Sequence, residues 1–340
     1  MSFEAYIGTY TSGASKGIYH TNISPDGTAG ILEATPANNP SYLAFSPDLQ
    51  KLYAVNETER FGVFPGGAVS TFALEEAGRL RAMGLQASCG AYPCHILALQ
   101  DRLYAANYGN GTLAAFLLEE GMPQPAPQVI RHTGHGPNRQ RQEGPHTHCV
   151  TAVPGSELIC AVDLGIDQIL FYQPTQAGLE LVDAVPVPSG AGPRHVVFSP
   201  DGRLAWLACE LSNEVCTLRF DNSWSVTGCY PTLPDSYKDE STCAAIRLSP
   251  DGKLLCVSNR GHDSIACFRT DSETGSLSLI GIFPTGGKTP RDIAFSPDGA
   301  LLLAANQDSG TITALLPGKN FALLGEILSI PNPICILPRP

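Results

Sequence analysis

One phrase recurs along this chain and limits its architecture more than any other feature. It consists of a proline, an alternating apolar run, a Ser-Pro-Asp-Gly turn, and a second apolar run ending near an asparagine. It is clearest from Pro193 to Glu210, where Arg194-His195-Val196-Val197-Phe198 leads into Ser199-Pro200-Asp201-Gly202. Pro290 to Asn306 repeats it, Pro40 to Asn56 carries Leu49 in place of the glycine, and Cys243 to Asn259 carries cysteine in place of the leading proline. Pro93 to Asn107 and Pro145 to Asp163 are degenerate copies, and Pro333-Ile334-Cys335-Ile336-Leu337 opens a seventh.

The leading positions 40, 93, 145, 193, 243, 290 and 333 are 43 to 53 residues apart. That period suits four short strands, the blade of a propeller. Apolar residues alternate with a period of two and are rich in β-branched and aromatic types, so the units are strands and not helix pairs. The expected fold is all-β: one seven-bladed propeller over residues 1–340, with four antiparallel strands, A to D, in each blade. In the unit from Pro193 these are expected at 194–199, 203–209, 214–220 and 225–230. Pro in the Ser-Pro-Asp-Gly element fixes φ early in the turn and Gly accepts positive φ. The seventh copy supplies only a strand A, and the N-terminus supplies 5–10, 17–23 and 31–35 as B, C and D. Joining them in one blade removes two sheet edges that would otherwise invite pairing with other chains.

Composition narrows the functional classes. Gly (34) and Pro (28) are frequent but dispersed, as turn residues are in an all-β chain. The net charge of −11 disfavours nucleic acid, and an anionic ligand would require a local cluster of cations. The 11 cysteines include no C-x-x-C pair, and several lie within strand-like runs, so reduced core thiols and a cytoplasmic setting are expected. No basic leader and no apolar run of membrane-spanning length is visible, so neither secretion nor a membrane partner is expected.

Alternating strand direction sorts the connections onto two rims. The Ser-Pro-Asp-Gly turns lie on one rim, and the starts of A with the ends of B lie on the other. This second rim collects His95, His146, His148, Arg194, His195, Arg291 and Asp292 from A strands. B strands contribute Asn56-Glu57, Asn107-Tyr108, Asp163, Glu210, Asn259-Arg260 and Asn306-Gln307. The basic stretch from Arg131 to His148, with Arg139 and Arg141 and only Glu143 acidic, joins the same rim. Polar groups converging on rigid strand ends make this rim the candidate site for an anionic ligand.

Several phrases also carry a resemblance: Gln142-Glu143-Gly144-Pro145-His146-Thr147-His148, Gly192-Pro193-Arg194-His195, Cys209-Glu210-Leu211-Ser212, Asn259-Arg260-Gly261-His262-Asp263-Ser264 and Gly286-Gly287-Lys288-Thr289-Pro290-Arg291-Asp292. Over nearly its whole length the chain resembles the lactonase family of seven-bladed propellers. That family includes bacterial propeller-type 6-phosphogluconolactonases and fungal carboxy-cis,cis-muconate lactonizing enzymes. The resemblance implies catalytic roles for His146, Arg194, Glu210 and Arg260, and hydrolysis of an anionic sugar lactone such as 6-phospho-D-glucono-1,5-lactone, in the pentose phosphate pathway. His148, His195, Arg291 and Asn259 are secondary candidates for substrate binding. Either Glu210 or His146 would activate water, and the arginines would hold the oxyanion or the substrate anion. Period-two alternation points Arg194 and His195 to opposite faces, which favours His195 as a blade-packing residue.

His146-x-His148 with Glu143 or Asp163 has some metal-site character, but no longer ligand pattern completes it, so no metal or cofactor is expected. A monomer or weak oligomer is expected. The alternatives are a non-catalytic interaction scaffold, although neither Trp206 nor Trp224 is followed by Asp, and a muconate-type lactonizing enzyme.

Overall fold

The computed structural model describes residues 2–62, 64–176 and 178–340. Seven antiparallel sheets of A-B-C-D order form the blades. Their A strands are Leu43–Phe45, Pro93–Ala98, Thr147–Ala152, Pro193–Phe198, Thr242–Leu248, Pro290–Phe295 and Pro333–Pro338. We number the blades 1 to 7 in that order. Each A strand packs against the A strand of the next blade, and the seventh packs against the first, which closes the ring around a central channel. Blade 4 is typical, with strands Pro193–Phe198, Leu204–Cys209, Glu214–Asp221 and Ser223–Pro231. In blade 2 the outer position is divided between Met122–Pro123 and Gln128–Arg131, which both pair with Thr112–Glu119.

Blade 7 joins the two ends of the chain. Strand Phe3–Thr9 pairs on one side with Gly17–Ile23 and on the other with Pro333–Pro338. Arg339 clasps this join: its backbone N–H donates to the Glu4 carbonyl at 2.8 Å and its Nη1 to Glu4 Oε2 at 2.7 Å.

Strand pleating places alternate side chains on the two faces of every blade, so apolar alternation yields one core per blade interface. Seven such cores are present among the described residues. The core between blades 4 and 5 contains the buried Trp206, whose indole N–H donates to the Gly275 carbonyl at 2.9 Å.

The Ser-Pro-Asp-Gly turns explain their own sequence. In each full copy the serine hydroxyl donates to the aspartate two residues on, at 2.6 Å in Ser199–Asp201 and Ser249–Asp251 and 2.7 Å in Ser296–Asp298. The fourth residue is left-handed, with φ 69° at Gly202, and Leu49 adopts φ 56° at the copy that lacks the glycine.

Three sequence expectations change. The copy expected to open at Pro40 opens at Leu43, the first residue of its A strand. The copy expected to open at Pro145 opens at Thr147, which pairs with Asp163 as Pro193 pairs with Cys209. Pro145 belongs to the preceding connection. The cysteines are not all free: Cys216 and Cys229, opposite each other on strands C and D of blade 4, form a disulfide. Across that narrow antiparallel pair the two Cα atoms are 4.1 Å apart.

Candidate active site

Strand A of most blades contains a β-bulge next to its first residue. The register skips one residue at Cys94, His148, Arg194 and Arg291, and two at Ala244-Ala245. A bulge inserts an unpaired residue and re-aims the side chains around it. Here it turns consecutive residues toward the channel.

Below the rim, these side chains plug the channel. Tyr42 stacks on His95 at 3.9 Å between ring centroids, and His195 meets Tyr42, His95 and His148 edge-on at 5.9, 5.2 and 5.2 Å. Blades 1 and 4 are not neighbours, so the Tyr42–His195 contact spans the channel. Arg247 of blade 5 also reaches Tyr42, at 3.4 Å, and pairs with Asp292 at 2.7 Å. Burial pushes all three histidines well below the ordinary imidazole range, and the positive charge of Arg194 adds to it. They are neutral, apart from the open rim. At the opposite rim a cavity of about 340 Å³ is lined by Tyr42, Arg247, Phe295 and Ile336.

Above the plug, Glu210 is the electrostatic centre. It follows the last residue of strand B in blade 4, and its backbone N–H donates to the Gly192 carbonyl at 2.7 Å. Three guanidinium groups surround its carboxylate: Arg141 Nη2 at 2.5 Å from Oε1, Arg260 Nη2 at 2.9 Å and Arg194 Nε at 3.1 Å from Oε2. Glu210 and Arg194 are each 4% exposed at the side chain, Arg260 is 15% and Arg141 is 38%. Arg194 Nη1 also donates to the Ala244 carbonyl at 2.8 Å, and Arg260 Nη2 to the Cys243 carbonyl at 3.0 Å. Burial alone would raise the Glu210 pKa, but Arg260 and Arg194, helped by Arg141, hold it far below the usual carboxylate range. Burial and the adjacent Arg260 push Arg194 down to about 10.

His146 stands immediately before strand A of blade 3. Its backbone N–H donates to Asp163 Oδ1 at 2.7 Å, which fixes its position. The ring stacks on Tyr108 at 4.4 Å. Its Nδ1 lies 2.9 Å from the Tyr108 carbonyl, which only accepts, so Nδ1 carries the proton. Nε2 faces Glu143 Oε1 at 3.2 Å, on a side chain that is exposed to solvent. Tyr108 is shared by both groups, since its hydroxyl lies 3.4 Å from Arg141 Nη2. His148 meets the same ring edge-on at 5.5 Å.

Arg291 occupies the blade 6 bulge. Its Nη2 donates to the Tyr10 hydroxyl at 2.8 Å, and that hydroxyl donates to Glu57 Oε1 at 2.8 Å. Among the described residues no carboxylate lies within ion-pair distance of Arg291.

The fold therefore brings His146, His148, Arg194, Glu210 and Arg260 together, with Arg291 on the same rim. Two secondary candidates stand off the open rim, Asn259 between blades and His195 beneath Arg194, whose Nη1 lies 3.2 Å from the imidazole Nε2. Asn259 is fully buried. Its amide donates to the Thr232 carbonyl at 3.0 Å and accepts from the Thr232 hydroxyl at 2.8 Å. It bridges blades 4 and 5, and pleating turns its successor Arg260 to the rim instead. His195 packs in the channel plug and not between blades, because the bulge at Arg194 cancels the expected alternation. Arg141, Tyr108 and Glu143, which the sequence placed on this rim without a catalytic or substrate-binding role, also join the site. Arg141 stood in the basic stretch, but nothing local to it signals a partner 69 residues away. Among the described residues no three His, Cys, Asp or Glu side chains are grouped as metal ligands.

A family model described as "Lactonase, 7-bladed beta-propeller" matches residues 4–338. The chain belongs to this lactonase family. Its relatives include the 6-phosphogluconolactonase of Bacillus subtilis, 33% identical over 97% of both chains. Among solved structures, a Bacteroides fragilis protein superposes with a TM-score of 0.92 at 32% identity, over 100% of this chain and 98% of the other. A periplasmic gluconolactonase of Pseudomonas aeruginosa superposes with a TM-score of 0.91 at 28% identity, over 100% and 99%. For a lactonase-family member, the rim with His146 and the arginine-ringed Glu210 is the candidate active site. No helix among the described residues is long and apolar enough to cross a membrane.

Proposed function

We propose that the protein hydrolyses a sugar lactone, 6-phospho-D-glucono-1,5-lactone in particular, with His146 as the proton-transfer group and Arg260 beside the reacting carbonyl. The observation that carries this reading is the junction at Tyr108. Its ring supports His146 and its hydroxyl meets an arginine of the Glu210 cluster, so a base and a cationic surface adjoin at one open rim.

The roles follow from basicity and exposure. A carboxylate ringed by three guanidinium groups is a poor base, so Glu210 acts as the positioning group that fixes the arginines. His146 presents an unprotonated Nε2 when neutral. It takes a proton from water as the water oxygen bonds to the lactone carbonyl carbon. Arg260, less deeply buried than Arg194, stabilises the oxyanion, an effect worth about 3–4 kcal/mol for one such donor. The ring C–O bond then breaks, and His146 returns the proton to the departing alkoxide. Glu143 faces the imidazolium during that interval.

Similarity to the Bacillus subtilis 6-phosphogluconolactonase supports the phosphorylated substrate. Similarity to the Pseudomonas aeruginosa gluconolactonase supports a second reading, an unphosphorylated aldonolactone. Steady-state kinetics on 6-phosphoglucono-1,5-lactone and on glucono-1,5-lactone separate the two. A higher kcat/KM for the phosphorylated lactone is expected, equal values favour the second reading, and turnover of neither rejects both.

A further inference from the structure

We infer that Arg141 is the residue that reads the anionic substituent of the substrate, exchanging the Glu210 carboxylate for a phosphate group when the ligand arrives. The inference rests on the lactonase reading above.

The first argument is charge. Three guanidinium groups share one carboxylate, and among the described residues no other carboxylate comes within 4 Å of any of them. The cluster therefore carries a surplus of positive charge at one rim of a protein whose net charge is −11. A buried surplus of this kind is unfavourable unless something anionic completes it. A phosphate dianion does so; a neutral polyol does not.

The second argument is availability. Arg194 and Arg260 each pair with Glu210 and donate to a backbone carbonyl, although the buried Nε of each lacks a hydrogen-bond partner among the described residues and the hydrogen bond to Glu210 comes from Arg141. Among the described residues the Arg141 side chain has no backbone acceptor. Among the described residues its only side-chain hydrogen-bond partner besides Glu210 is the Tyr108 hydroxyl, at 3.4 Å, and its side chain is the most open of the three. If it leaves, Glu210 keeps two ion pairs. Arginine also offers a planar fork that matches phosphate oxygens.

The third argument is that the backbone of Arg141 is fixed while its side chain is not. The Arg141 and Gln142 N–H groups both donate to the Asn138 carbonyl, at 3.2 and 2.7 Å. Gln142 is fully buried, and its amide donates to Asp167 Oδ1 at 2.7 Å and to the Leu164 carbonyl at 2.9 Å. At the start of the same connection, His132 Nδ1 lies 2.6 Å from Asp163 Oδ2. Two carboxylates of blade 3 thus pin the segment on either side, and only the arginine side chain has to swing. Recognition then costs little ordering of the chain.

Calorimetric titration with 6-phosphogluconate and with gluconate tests this without turnover, using the wild type, Arg141→Gln and Arg141→Lys. The wild type is expected to prefer 6-phosphogluconate, and Arg141→Gln to cut that preference by about 10- to 100-fold, the range of a charge-assisted hydrogen bond. Arg141→Lys keeps the charge without the fork and is expected to fall between; it also serves if Arg141→Gln melts early. A preference unchanged in both variants, or a wild type that shows no preference or binds neither acid, overturns the inference. A protein that turns over no lactone yet shows Arg141-dependent preference defeats the functional reading and leaves this one standing.

Discussion

Arg194 and His195 are consecutive in the chain, yet both side chains point into the channel, with the guanidinium Nη1 3.2 Å from the imidazole Nε2. A regular strand would send them to opposite faces. The bulge at Arg194 removes that alternation, so one residue pair serves two layers: Arg194 binds Glu210 at the rim, and His195 packs the plug beneath it.

Removing the charge of Glu210 should damage the fold as well as the activity. Glu210→Gln retains the shape but leaves three guanidinium groups, one fully buried, facing a neutral amide. Loss of one partner from a buried ion pair costs about 3–5 kcal/mol. Denaturant unfolding is expected to show a loss of that size, along with loss of lactone turnover. A fully active variant of wild-type stability would refute the role of Glu210 as organiser.

His146 should separate chemistry from folding. It lies outside the strand ladder and outside the plug, so His146→Asn is expected to melt close to the wild type. Its kcat is expected to fall about 10²–10⁴-fold, the usual contribution of a proton-transfer group. A loss confined to KM would make His146 a binding residue only.

Acid should destabilise the protein in two stages. The neutral His95, His148 and His195 have pKa values depressed by burial, so below about pH 6.5 the unfolded chain binds protons that the folded one does not. Stability therefore falls as pH drops through that range. Glu210, also depressed, adds stability that is complete above about pH 4.3 and is lost below it. Urea midpoints at pH 7.5, 6 and 5 are expected to decline in order, and a constant midpoint across the three would contradict the buried histidine plug.

Deleting residues 330–340 should open the ring. The deletion removes strand A of blade 7, the buried Ile334 and Ile336, and the Arg339–Glu4 clasp. Two fully buried isoleucines alone contribute about 3–6 kcal/mol. A large fall in melting temperature or insoluble expression is expected, and an unchanged melting curve would show that the closure is dispensable.

The propeller was legible in the chain because its information is local and repeated. Each Ser-Pro-Asp-Gly element specifies a turn through hydrogen bonds within five residues, and each alternating run specifies a strand with one face toward a neighbour. The rim on which His146, Arg194, Glu210 and Arg260 meet also followed, since strand direction assigns every A start and B end to one side. Glu57, Tyr108 and Glu210 illustrate it, each following directly on the end of a B strand, as does Arg260, the last residue of its own B strand.

What only the tertiary structure decided was which side chains meet there. The bulges that turn His195 into the channel shift register by one residue and leave no mark on composition. Asn259 and Arg260 look equally placed in sequence, but one ties two blades together and the other reaches Glu210. Arg141 reaches Glu210 from a connection two blades before it, a distance of 69 residues along the chain. Contacts of that kind depend on how rigid blades are arranged around an axis, and no local pattern of residues encodes that arrangement.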